Sequence, residues 1–273
     1  MALPSPQYFS NSIVGMMQAG ADVNIYRADT APKYPVGQGF QRADGHIYRY
    51  ASFDAAVTQG KVVAPVFANA GKTTTDNIVI NPGSVISVPA EYPVLPCQVG
   101  SHYVQATIAS ITAGQYAGGY LTTEDGSGKG YIYRILTNTA TGNPVSGDMR
   151  FQLYEPLQAV VSGNTDITII PSMFNDVDVA STATNWGAAG VTMASIAAGG
   201  FGWICTRGIT CVLQAGAWTG GDQLGLSTAV NGAASVLGEL TTSVAAIVGV
   251  QILGYALQNG GDTEYGTMYL QLE

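Results

Sequence analysis

Two histidines, three cysteines and eighteen carboxylates are the groups in this chain with the means to do chemistry. A Ser-His-Asp or Cys-His site needs a histidine beside a nucleophile held on a sharp turn. His46 and His102 instead lie in strand-like stretches beside tyrosines, with no nucleophile-elbow pattern near them. The stretch 124–130, Glu-Asp-Gly-Ser-Gly-Lys-Gly, is glycine-rich and carries a lysine. It lacks the phosphate-loop spacing G-x-x-x-x-G-K-[ST] and leads into a strand, so a polar hairpin tip is expected. Asp176 and Asp178 can present two carboxylates on one strand face, fewer oxygens than a calcium loop requires. Cysteine and histidine have no zinc-type spacing, and no glycosidase pair stands out among so many acids. The expectation is a protein that is not an enzyme, with no catalytic residue, metal ligand or cofactor. Cys97, Cys205 and Cys211 are an odd, small set, which suits a reducing compartment and buried thiols acting as small apolar residues.

The elements that would position any such group are strands. Apolar residues make up 47% of the 273-residue chain and charged ones 10%, against about 25% charged in ordinary domains. That excludes disorder and leaves little charge for a free surface, a composition that an assembly covering its surface tolerates. The 35 glycines have no collagen period, and with abundant Thr, Ser and Val they indicate many short strands joined by tight turns. Net charge is −8 and uneven: residues 1–150 hold nine basic and nine acidic side chains, residues 151–273 only Arg207 against nine acids. Such a surface repels phosphates, so no nucleic-acid partner is expected. Arg27, Lys33, Arg42, Arg49, Lys61 and Lys72 either face an acidic partner or are ordinary surface charge. Residues 240–261 carry no charge, but the most apolar part, Val244 to Leu257, is short for a membrane helix. A buried strand pair, and no membrane partner, is expected. The opening Met-Ala-Leu-Pro-Ser-Pro has the features of neither region of a signal peptide.

Along the chain, Pro4, Pro6, Pro32 and Pro35 make residues 1–38 an extended N-terminal arm. Asp44-Gly45 between alternating residues predicts a hairpin, followed by a strand after Gly60 and further strands over 76–99. Prolines 89, 93 and 96 suggest a module boundary near residue 100. Residues 107–116 (Thr-Ile-Ala-Ser-Ile-Thr-Ala-Gly-Gln-Tyr) match 192–201 (Thr-Met-Ala-Ser-Ile-Ala-Ala-Gly-Gly-Phe), and a Gly-Asp step follows each, at 147–148 and 221–222. This predicts two related β modules, the repeated glycine turning into a core strand that an aromatic anchors. Arg207-Gly208 is expected to be a two-residue turn, which sets Cys205 opposite Thr210 and disfavours a disulfide to Cys211. The fold class is all-β: tandem small β-barrel or β-sandwich-like modules over 39–100, 101–180 and 181–273, behind the arm.

The segment Gly39-Phe-Gln-Arg-Ala-Asp-Gly-His-Ile-Tyr-Arg-Tyr-Ala, the Gly60-Lys-Val-Val strand, residues 191–208, Gly221-Asp222, Val248-Gly249-Val250, Gly254-Tyr-Ala-Leu and the closing Tyr269-Leu-Gln-Leu together resemble tailed-bacteriophage head decoration (cement) proteins. The resemblance covers about two thirds of the chain. It implies β-barrel-like modules that sit as homotrimers on the capsid outer surface and bridge neighbouring major capsid proteins. It also implies a virion protein made in the host cytoplasm. An arm that adds a strand to a capsid loop would make contact through Tyr8, Phe9, Ile13 and Met16, with Arg27 and Arg42 as further contacts. A phage tail or fibre component and a carbohydrate-binding β protein are the alternatives.

Overall fold

The computed structural model describes residues 16–17, 23–66, 96–108, 111–140, 148–162, 165–181, 187–237 and 251–273. Every element among them is a strand, and the protein is all-β. No helix among the described residues is long and apolar enough to cross a membrane. The chain divides into two compact units, Met1–Ala64 with Asp176–Glu273, and Pro65–Asn175.

The first unit carries β1 (Met16–Met17), β2 (Gly39–Gln41), β3 (Ile47–Ser52) and β4 (Val62–Pro65). The second contains β5 (Tyr103–Thr107), β6 (Tyr120–Asp125), β7 (Ile132–Asn138), β8 (Asp148–Leu153) and β9 (Asp166–Ile170). The chain then returns to the first unit with β10 (Val177–Val179), β11 (Gly190–Thr192), β12 (Phe201–Leu213), β13 (Gln223–Leu226), β14 (Ala234–Val236), β15 (Ile252–Ala256) and β16 (Tyr265–Gln271).

The modules expected over 39–100 and 181–273 are therefore not separate. β2, β3 and β4 join β10 to β16 in one sheet of order β1-β2-β3-β12-β16-β15-β13-β14, with β4, β10 and β11 beside that path. The reason lies in β12, thirteen residues long. Its first half needs β3 and β11 on its two edges, its second half pairs with β16, and β3 comes from far away in sequence. The expected 101–180 module falls mostly within the second unit, whose sheet has the order β5-β8-β7-β6-β9. The arm is corrected too: residues 23–38 pack into the first unit, where Ile25 is buried and Asp29 bridges to Phe201. The strands expected over 76–95 and the Gly-Asp step at 147–148 lie outside the described residues, at least in part.

The Asp44-Gly45 hairpin forms as the sequence suggests. Gly45 has φ +87°, and the Asp44 carboxylate accepts the His46 N–H at 3.2 Å, a local bond that favours the reversal. Arg207-Gly208 is not a turn. β12 runs straight through it, exposing residues 207, 209 and 211 and burying 206, 208, 210 and 212. Gly208 adopts φ +114°, and a Cβ there would lie 2.4 Å from the His46 ring, so the glycine serves a close ring contact. Cys205 and Cys211 thus share one strand, on the order of 20 Å apart at about 3.3 Å per residue. All three cysteines are free thiols.

The repeated segments 107–116 and 192–201 share their turning glycines, Gly114 at φ +76° and Gly199 at φ +70°, but they sit in different units. A closer repeat lies within the first unit. Residues 51–62, 190–201, 212–223 and 254–265 follow one backbone course: strand end, bend, single bridge, turn, next strand. The tenth residue of each has positive φ: Gly60 at +69°, Gly199 at +70°, Gly221 at +95° and Thr263 at +63°. The loops associate in two couples through their seventh residues, Val57 with Ile196 and Trp218 with Gly260. Bonds come in matched sets. Gly60 N–H to Thr192 O (2.9 Å) mirrors Gly199 N–H to Phe53 O (2.8 Å), and Gln214 N–H to Glu264 O (2.8 Å) mirrors Ala256 N–H to Asp222 O (2.9 Å). Val57, Ile196 and Trp218 are buried, each stabilising its loop by about 1.5–3 kcal/mol of apolar burial.

Trp203, on β12, centres the first core, with ring centroids of Tyr50, Tyr34 and Phe40 at 5.2, 5.3 and 5.9 Å. The second core is built from alternating inward residues such as Leu121, Tyr133, Ile135, Phe151, Ile167 and Ile169, with Tyr116 entering from the preceding turn.

Candidate functional site

The groups singled out for chemistry are separated by the fold. His46 lies with Nδ1 2.9 Å from Asp44 Oδ1, while its Nε2 accepts the Ile209 N–H at 3.0 Å. Nε2 thus ties the β2–β3 turn to β12, while Nδ1 faces the turn's own Asp44. Burial pushes the Asp44 carboxyl up, but hydrogen bonds from the His46 side chain and backbone outweigh it and hold the group below its ordinary value. His102 Nδ1 lies 3.2 Å from Leu153 O. Asp176 has φ +53° and is engaged with Ser52, whose hydroxyl accepts the Asp176 N–H at 2.6 Å. Asp178 accepts the Val179 N–H within β10, and the Asp176 carboxylate accepts the Ser52 hydroxyl at 3.3 Å, so the two carboxylates have separate structural partners. Among the described residues, no group of three or more His, Cys, Asp or Glu could hold a metal ion. Residues 124–130 form the β6–β7 hairpin tip, with Gly126, Gly128 and Gly130 all at positive φ.

Of the expected contact residues, Tyr8, Phe9 and Ile13 lie outside the described residues. Met16 is in β1, which pairs parallel with β2 at Gly39 and Phe40. Arg27 and Arg42 are not brought together. Arg27 Nε pairs with Asp29 at 3.1 Å, and Lys33 Nζ pairs with the same carboxylate at 3.2 Å. Arg42 lines a cleft of about 400 Å³ with Val23, Asn24, Ile25, Tyr26 and Phe40. The Tyr48 hydroxyl, with Asp44 adding to it, holds the Arg42 guanidinium above its ordinary value. Arg49 donates twice to the Glu273 carboxylate, at 2.8 and 3.1 Å. Much of the early positive charge is thus matched internally.

Another surface stands out, one that residue-by-residue reading missed. The outward sides of β12, β16 and β15 form one face. Its rows are set by register: Arg207 beside Gln271, Ile209 beside Tyr269, Cys211 beside Thr267 and Leu213 beside Tyr265. Tyr255 on β15 stands beside Tyr269, their rings stacked at 5.4 Å. Ile209, Ile252, Tyr255, Leu257 and Tyr265 on or beside this face are 40–55% exposed, and Arg207 is the one charge in these paired rows. At the Arg207 end a depression of about 260 Å³ is lined by Gln41, Asp44, Gly45, His46, Arg207, Gly208, Ile209 and Tyr269. At the other end the β15–β16 connection exposes Asp262 and Glu264. The signal in the sequence was the period-two run Arg207, Ile209, Cys211, Leu213, hidden by reading a turn into it. Comparison with protein-family models, curated proteins and solved structures gives no match.

Proposed function

We propose that this chain is a structural decoration protein of a tailed-phage head, binding the outer surface of the shell and stabilising contacts between major capsid proteins. The observation that carries this reading is the nearly uncharged outward face of β12, β16 and β15. Isolated exposed apolar residues are ordinary, whereas a contiguous apolar patch on a twisted sheet marks a contact surface. The parallel pairing of β1 with β2 adds support, because the segment near Met16 already behaves as a strand added to an edge. Tyr8, Phe9 and Ile13 just before it are the proposed capsid contacts, by the same strand-addition chemistry. The mechanism is mechanical: many weak contacts, multiplied by the symmetry of the shell, resist internal pressure.

The test is binding of the purified chain to heads that lack it. Saturable binding and a higher head melting temperature are expected, and deletion of residues 2–20 should weaken binding at least tenfold. A chain that leaves heads unchanged would sink the proposal. The stacked Tyr255–Tyr269 pair beside a polar depression favours a second reading, carbohydrate binding, which predicts that the isolated chain is retained on a polysaccharide.

A further inference from the structure

We infer that the outward face of β12, β16 and β15 is a self-association surface, and that its occupant is the same face of a second copy, related by a two-fold axis that passes close to Cys211. Three observations carry this.

The first is charge. The face has Arg207 at one end, where the nearby carboxylates Asp44 and Glu273 are matched by Arg42 and Arg49, and an acidic end at Asp262 and Glu264, with uncharged rows between. A two-fold axis lying in the contact plane and perpendicular to the strands sets the two faces against each other end for end, so each Arg207 meets the acidic turn of the other copy. Opposite charges at the two ends of one patch make it complementary to itself, which is what an isologous contact requires. β12 pairs with β16 from Arg207 to Leu213, and Gln214 bonds to Glu264, so the midpoint between the charged ends falls near Cys211.

The second is shape. The depression of about 260 Å³ at the Arg207 end faces, after the two-fold rotation, the end that carries Tyr265, which is 46% exposed. A tyrosine side chain is of the right size to enter it, with its hydroxyl toward polar lining groups such as Gln41 and Arg207.

The third is area. With aromatic side chains of about 150–250 Å², residues exposed by 40–55% and their row partners offer on the order of 700–800 Å², close to the roughly 800 Å² per partner of a standard interface. Cys211 is exposed, while Cys97 and Cys205 are buried, so the proposed axis carries a specific chemical reporter.

This rests on the decoration reading and deepens it: the face joins two copies, a two-fold contact where the resemblance implies a three-fold one, and leaves Tyr8, Phe9 and Ile13 for the shell. Its failure is read from solution mass and cross-linking, whereas failure of that reading is read from head binding. The experiment is light scattering of the full chain at low salt, followed by treatment with a short bismaleimide. The expected result is twice the chain mass of 28.3 kDa and a covalent dimer that Cys211→Ser abolishes. Ile209→Glu should weaken association at least tenfold. Arg207→Glu should do the same, and Arg207→Glu combined with Glu264→Arg should restore it, a rescue that a merely unfolded variant cannot give. A monomer under these conditions overturns the inference. So does an oligomer that survives Ile209→Glu and yields no Cys211 cross-link.

Discussion

The Tyr50 hydroxyl donates to Asp29 Oδ2 at 3.0 Å and accepts the Lys33 N–H at 3.3 Å, so one fully buried ring fixes the segment that leads into β2. Burial pushes its pKa up to about 12, and burial pushes the Cys205 thiol up to about 12 as well. Both are acids that hold their proton more tightly in the folded state. Their contribution to stability is full below the unfolded-state values, about 8.5 for Cys and 10 for Tyr, and is lost as pH rises toward 12. The melting temperature should therefore decline from about pH 9 upward, and Tyr50→Phe should flatten that decline above pH 10. At neutral pH Tyr50→Phe should cost about 1.5 kcal/mol, the scale of a hydrogen bond to a charged group. Gly208 is a second decisive residue. Gly208→Ala meets both the positive φ and the His46 ring, and urea unfolding should show a loss of about 2 kcal/mol.

At the scale of elements, the four equivalent loops make a prediction that no single loop would. Three have glycine at the tenth position, and the fourth has Thr263 at φ +63°. A β-branched residue in that region is strained by about 1–2 kcal/mol. Thr263→Gly should raise the urea midpoint by the equivalent of about 1 kcal/mol with an unchanged slope, the shortfall reflecting the entropy glycine adds to the unfolded chain. These loops were hard to find because they share backbone conformation and hardly any side chains. Their seventh residues are Val57, Ile196, Trp218 and Gly260, and a 111-residue unit, Pro65–Asn175, separates the first copy from the rest. The match between 107–116 and 192–201 was easier to see because identical side chains carried it.

At the scale of the whole molecule, the sparse charge that the composition announces is placed rather than spread. Arg27, Lys33, Arg42 and Arg49 lie beside carboxylates within the first unit, and β12, β16 and β15 turn a nearly neutral face outward. Self-association through that face should weaken as salt rises from about 0.05 to 0.5 M, because exposed end charges are screened over about 10 Å at 0.1 M. The apolar rows should retain part of the affinity. Light scattering across a salt series checks this, and an affinity that rises or stays constant would contradict the pairing of Arg207 with the acidic turn.

The sequence by itself determined the all-β class, the hairpin at Asp44-Gly45, the polar tip at 124–130, the turning glycines at 114 and 199 and the buried anchor Tyr116. Each depends on the conformational limits of neighbouring residues or on a local alternation of apolar side chains, and such effects are complete within about ten residues. Tertiary structure alone decided that β12 passes through Gly208, that β2 to β4 belong with β10 to β16, and that Cys211 faces out beside Thr267. Those outcomes depend on which distant strand supplies the missing backbone partners. A strand edge accepts any chain that satisfies its hydrogen bonds, so its choice is made by the packing of the whole core.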